Sequence, residues 1–195
     1  MKRRGSGSKQ KGSSFERLIC KQLSLWITRG KKEDCFWRSA MSGGRATVAA
    51  ARGKDLRRQA GDICAISPEG HALTDRWYIE CKNVRDAGLA AFLVHDRGPL
   101  SKYWRTTCEQ AERYQKSPLL IMRQFRFPTL AVMPPHWAWE PPFDSLPPTR
   151  QIILRASEPA APERASFQRH YVITHLDDLL EMRAHARIRS KRARP

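Results

Sequence analysis

Asp62, Glu80 and Lys82 are the residues whose types and spacing most invite chemistry in this chain. Gly61-Asp62 heads one apolar run, Ile63 to Ile66, and Glu80-Cys81-Lys82 ends another, Arg76 to Lys82. Side chains alternate along a strand, so Glu80 and Lys82 share one face while Ile79 and Cys81 take the other. If the runs pair as a hairpin, Asp62 comes beside Glu80, and two carboxylates and an ammonium meet at the open end of a sheet. Hard divalent cations prefer carboxylate oxygens, and Mg2+ keeps several waters while using only one or two carboxylates. A cation there can activate water and offset charge on a phosphodiester. Lys82 can orient or deprotonate the attacking water, or stabilise the charge that develops. Surface ion pairs are the bland alternative. The apolar context of both runs and the glycine before Asp62 argue against it.

The elements that would position these groups form a mixed α/β pattern. Ser13-Ser14-Phe15-Glu16 opens a helix with capping-box spacing, a role that by itself would account for Glu16. Phe15, Leu18, Ile19, Gln22, Leu25 and Trp26 then fall on one face, and Gly30 ends it. Cys35 to Ala40 has the makings of a short strand, and Arg45 to Ala60 shows no period and is expected to be a long basic loop. Ser67-Pro68-Glu69-Gly70 is a turn signal between the two candidate strands. A short helix around Leu89, Phe92 and Leu93 and a longer one from Leu100 to Lys116 come next. Leu119 to Met122 and Thr129 to Met133 complete the strands of a core spanning 13–133. The proline pairs at 134–135, 141–142 and 147–148 mark an extended excursion within 134–182. Gln151 to Leu154 and Tyr171 to Thr174 are candidate edge strands there, packed on the core, and Thr174 is a candidate N-cap for a last helix.

Charge narrows the partner. Thirty-six Lys and Arg against nineteen Asp and Glu give +17, a field that attracts polyanions. Five basic residues in 1–12 and six in 183–195, with no acid among them, leave +6 for 13–182. Both ends are therefore expected to be flexible basic arms. Arg38, Arg45, Arg52, Lys54, Arg57 and Arg58 make a candidate phosphate-contact segment. The five cysteines lack CxxC pairing and zinc-finger spacing, and a soluble, reducing, cytoplasmic setting is expected. No apolar run has the length of a membrane helix. His71 and His95 are expected in loops without a role, and Trp137 and Trp139 are expected to pack on the domain.

Asp62-x17-Glu80-Cys81-Lys82 resembles the PD-(D/E)XK signature, with Gly61 where the proline usually stands. The resemblance implies a restriction-endonuclease-like fold, a mixed central sheet flanked by helices. It implies Mg2+, with Mn2+ substituting, held by Asp62 and Glu80 and completed by the Cys81 carbonyl. Lys82 is then the catalytic lysine, and Glu16 matches the acidic residue of the first helix. Gly12-Ser-Ser-Phe-Glu-Arg17 and Arg38-Ser-Ala-Met-Ser-Gly-Gly44 are similar to archaeal-type Holliday junction resolvases and related phage nucleases. That branch acts as a homodimer on branched DNA in a phage or bacterial host cell. Gln110-Ala-Glu-Arg-Tyr114 has the QxxxY spacing of RecB-family exonucleases, which would aim Gln110 and Tyr114 at the site or at a DNA strand. The expectation is a metal-dependent DNA endonuclease, structure-selective and resolvase-like. A RecB-like exonuclease, a restriction-type enzyme and a non-catalytic DNA-binding protein on the same fold are its rivals.

Overall fold

The computed structural model describes residues 6–39, 59–95, 97–134, 151–155 and 170–181. It divides into two compact units, one of Met1–Asn83 with Glu109–Pro118 and one of Val84–Cys108 with Leu119–Pro195.

The first unit begins with helix α1, Ser6–Thr28. Its start corrects two expectations. Residues 6–12 are helical rather than a flexible arm, and Ser13 and Glu16 lie inside the helix, so no capping box explains Glu16. The buried stripe is Phe15, Ile19, Leu23 and Trp26, while Leu18 faces out at 40% exposure. Spacings of four and three keep those side chains on one face. The helix ends where Arg29 and Gly30 turn left-handed, and Gly30 N donates to the Leu25 carbonyl at 2.7 Å. Buried Ser24 fixes the entry to the first strand: its Oγ donates to the Cys20 carbonyl and accepts from the amides of Cys35 and Phe36 at 3.0 and 3.2 Å. Strand β1, Phe36–Arg38, is thus fastened to α1 before it pairs antiparallel with β2, Ile63–Ala65.

Between β2 and β3, Trp77–Val84, stands a short helix, α2, Pro68–Thr74, rather than the expected tight turn. Ser67 is its N-cap residue and Pro68 opens it, where the missing N–H and fixed φ suit a first turn. β2 pairs with β1, so the expected hairpin of β2 with β3 is not formed.

The second unit holds α3, Leu89–His95, the first ten residues of α4, Pro99–Arg113, and a sheet. Strands β4, Ser117–Gln124, β5, Thr129–Met133, β6, Gln151–Arg155, and β7, His170–His175, run antiparallel in the order β4-β5-β7-β6. Leu120, Met122, Leu130, Val132, Tyr171 and Ile173 alternate onto one face and pack with Phe92, Leu100 and Trp104 of the helices. Tyr171 stacks on Phe92 with ring centroids 5.1 Å apart. The intervening Leu119, Ile121, Ala131, Met133 and Val172 are buried as well, so β4, β5 and β7 are covered on both faces. β7 lies between β5 and β6, not at an edge, and it runs through Thr174, which is therefore no N-cap; residues 176–181 are helical. The class is α/β as expected, and a sheet with helices against it is compatible with a restriction-endonuclease-like fold. The excursion at 135–150 and the tail 182–195 lie outside the described residues.

Gly61 sets the approach of β2 to β3. Its φ is +90°, and a Cβ there would stand 2.6 Å from the Ile79 carbonyl oxygen. An L-residue loses about 1–2 kcal/mol in left-handed backbone before any clash is counted. Gly61→Ala is therefore expected to lower unfolding free energy by more than about 1 kcal/mol in a urea titration. Unchanged stability would show that the close approach does not exist.

Candidate active site

All the catalytic candidates lie in the first unit. Asp62, 9% exposed, is held from two sides. Its carbonyl accepts from Ser39 N at 2.8 Å, which continues the β1–β2 pairing by one residue. Toward β3, its amide donates to the Ile79 carbonyl at 2.8 Å and its Oδ2 accepts from Cys81 N at 2.9 Å. The carboxylate therefore reaches Glu80 by local docking on β3 and not through a hairpin. Glu80 is itself clamped. Lys82 Nζ donates to one carboxylate oxygen, and Tyr78 OH donates to the other at 3.2 Å. Tyr78, Glu80 and Lys82 are alternate residues of one strand and share its face.

Burial and mutual repulsion govern the charges. Burial first, and the Glu80 charge second, push the Asp62 carboxyl up to about 7, against the opposing pull of the Cys81 amide and Lys82. Burial works to depress the Lys82 pKa, but the charge and hydrogen bond of Glu80, with Asp62 behind them, hold it above its ordinary value. Lys82 is therefore an ammonium at neutral pH, suited to stabilising negative charge more than to taking a proton. Burial raises the Cys81 thiol well above its ordinary value and the Cys20 thiol to about 12, so neither is a nucleophile.

The remaining candidates divide by place. Glu16 forms an ion pair with Arg38 across α1 and β1, and its charge is felt at Asp62. Arg38, offered as a phosphate contact, is thus engaged by a carboxylate. Tyr114, just past α4, stacks on Tyr78 at 6.0 Å and 12° and packs with Ala60 and Ala111. Its link to Glu80 runs through Tyr78. Gln110 is half-buried one turn earlier on α4. Arg45, Arg52, Lys54, Arg57, Arg58, Trp137 and Trp139 lie outside the described residues. His71 is half-buried on α2 and His95 exposed at the end of α3. Among the described residues, no three His, Cys, Asp or Glu side chains form a ready-made metal cage. None of the helices there is long and apolar enough to cross a membrane.

Tyr78 is the site residue that the motif did not reveal. Strand alternation was a sufficient signal, because it puts residue 78 on the face of 80 and 82. Gly61 was visible only as a departure from the motif. Its φ of +90° explains the departure, since proline is fixed near −65° and cannot take that conformation.

A buried aspartate docked against a strand that presents Glu-x-Lys is the arrangement of a PD-(D/E)XK-type nuclease. The chain belongs to the family described as phage putative PDDEXK endonuclease, which matches residues 7–186. Comparison with curated proteins and with solved structures yields no match. Membership makes the protein a nuclease, with DNA as its substrate.

The raised Asp62 pKa has a stability consequence. The folded chain holds a proton that the unfolded chain, near 3.8, releases. That contribution is full below the unfolded value and is lost as pH rises through about 7. In EDTA, the melting temperature of the wild type relative to Asp62→Asn is expected to fall between about pH 4 and about pH 7 and to level off above that. Parallel pH profiles for the two proteins would show that Asp62 titrates normally.

Proposed function

We propose that the protein is a Mg2+-dependent DNA endonuclease, with Mn2+ substituting, that prefers branched DNA in the manner of a Holliday junction resolvase. The observation that supports this most is the crowding of Asp62 and Glu80, two carboxylates whose repulsion and burial keep Asp62 from ionising readily. A divalent cation between them relieves that repulsion. The donor set fits, because a carboxylate oxygen bearing one hydrogen bond keeps a second lone pair. Two carboxylates are also what Mg2+ ordinarily takes from a protein, and the Cys81 carbonyl is the third candidate ligand.

Bound there, the cation would supply Lewis acidity to a phosphodiester oxygen and lower the pKa of water. The chain's own groups account for the rest. Tyr78 and Lys82 fix the rotamer of Glu80, and β3 fixes Asp62 through the Cys81 amide. The Lys82 ammonium offsets charge that develops on the phosphate. Glu16, paired with Arg38, adds a third carboxylate at the margin of the site. A homodimer, which presents two such sites to a four-way junction, is part of the same reading. A RecB-like exonuclease is the second reading, favoured by the stacking of Tyr114 on Tyr78.

The test uses a four-way junction, a linear duplex and a supercoiled plasmid, with Mg2+ or EDTA. Cleavage is expected only with Mg2+, fastest on the junction, and internal in the plasmid. Lys82→Ala should lower turnover by about 10²–10³-fold, the loss typical of one preorganised electrostatic group. Its DNA binding should persist, since it removes one of thirty-six basic residues. Equal rates on junction and duplex would remove the structure selectivity, and an active Lys82→Ala would remove the lysine from the chemistry.

A further inference from the structure

The turn between β4 and β5 carries Phe125 and Phe127 at 64% and 48% exposure, while Phe15, Phe36 and Phe92 are each 1% exposed. Arg126 stands between them in left-handed backbone, φ +65°, with its guanidinium 5.3 Å from the centre of the Phe125 ring. The tip is held in place. Phe125 N donates to the Val84 carbonyl at 3.1 Å, and Phe127 N closes the turn on the Gln124 carbonyl at 3.0 Å. The Gln124 side chain in turn accepts from Ala87 N at 2.9 Å. Val84 is the last residue of β3, the strand that carries Glu80 and Lys82.

We propose that this tip is a nucleobase-stacking site, taking an unpaired or unstacked base of DNA upon an exposed ring face while Arg126 meets the adjacent phosphate. Phenylalanine has no polar handle to satisfy in water, whereas its face matches the π-face of any base. A cation over one face of an aromatic ring, with a second exposed ring next to it in the turn, is complementary to a phosphate next to a base, and the net charge of +17 favours that polyanion over an apolar partner. The two rings present roughly 200 Å² in all. That is well short of the ~800 Å² per partner that a stable protein interface needs. Because the turn is already pinned, little ordering entropy is lost on contact. Bases inside a duplex are stacked on one another, so the tip discriminates for forks, junctions and single strands without reading sequence.

The ligand class rests on the DNA-nuclease reading, but binding measured in EDTA is independent of cleavage and of the metal, so either can fail alone. Full-length wild type, Phe125→Ala/Phe127→Ala and Phe125→Leu/Phe127→Leu would be titrated by fluorescence anisotropy against splayed-arm DNA and a paired duplex of equal length. Thermal melts and light scattering of each protein accompany the titrations. The alanine pair is expected to weaken splayed-arm binding by about tenfold or more, the alanine-scanning range for a stacked base. Duplex binding should change by less than about threefold on the same scale, because no base is free to stack. The leucine pair should be as weak as the alanine pair. Unchanged splayed-arm affinity would overturn the proposal, as would equal losses on both DNAs. So would a fully competent leucine pair, which means a generic apolar contact, or a loss that tracks a fall in oligomeric state, which means an interface between copies.

Discussion

Asp62 is joined to β3 twice, by its amide to the Ile79 carbonyl and by its carboxylate to the Cys81 amide. Those two bonds straddle Glu80, and everything chemical in the first unit depends on them. They require the backbone at 61 to lie against Ile79 more closely than any Cβ allows, so the residue before the aspartate has to be glycine in this geometry. They also need the segment that delivers Asp62 to be anchored from behind. The Ser39 amide on the Asp62 carbonyl and Ser24 under the start of β1 supply that anchor, and Ser24 ties it in turn to α1.

With the backbone so fixed, the electrostatics are set. A buried carboxylate beside another is costly to ionise, which is why Asp62 is raised and why a cation would be welcome between them. The strand supplies two partial remedies on its own face, an ammonium two residues after Glu80 and a phenol two residues before it. The phenol ring is stacked on that of Tyr114. Glu16 and Arg38 neutralise one another a step further out.

The sequence made the chemistry more legible than the connections. Period-two alternation placed Glu80 and Lys82 together, and the strands β4 and β5 stood out because each is an uninterrupted apolar run buried on both faces. The hairpin expectation failed because Ser67-Pro68-Glu69-Gly70 suits a turn and a helix N-terminus equally well, and one further turn of helix separates the two outcomes. The start of α1 was missed for the opposite reason. Residues 6–12 include Ser6, Gly7, Ser8 and Gly12, which are weak helix formers, so the local composition did not reveal the helix. With the start moved to Ser6, Glu16 loses its cap role and becomes a residue whose ion pair and proximity to Asp62 require another account. The interior place of β7 depends on its pairing with β5, from Leu130↔His175 to Met133↔Val172, partners 45 to 39 residues apart in the chain, which no local pattern encodes.

The central claim is that Asp62 and Glu80 form one site for a divalent cation. Calorimetric titration of Mn2+ into the wild type, Asp62→Asn and Glu80→Gln tests it directly. Binding by the wild type, lost or strongly weakened in each variant while both keep the wild-type fold by circular dichroism, is the predicted result. Mn2+ binding of equal strength in all three proteins would contradict it.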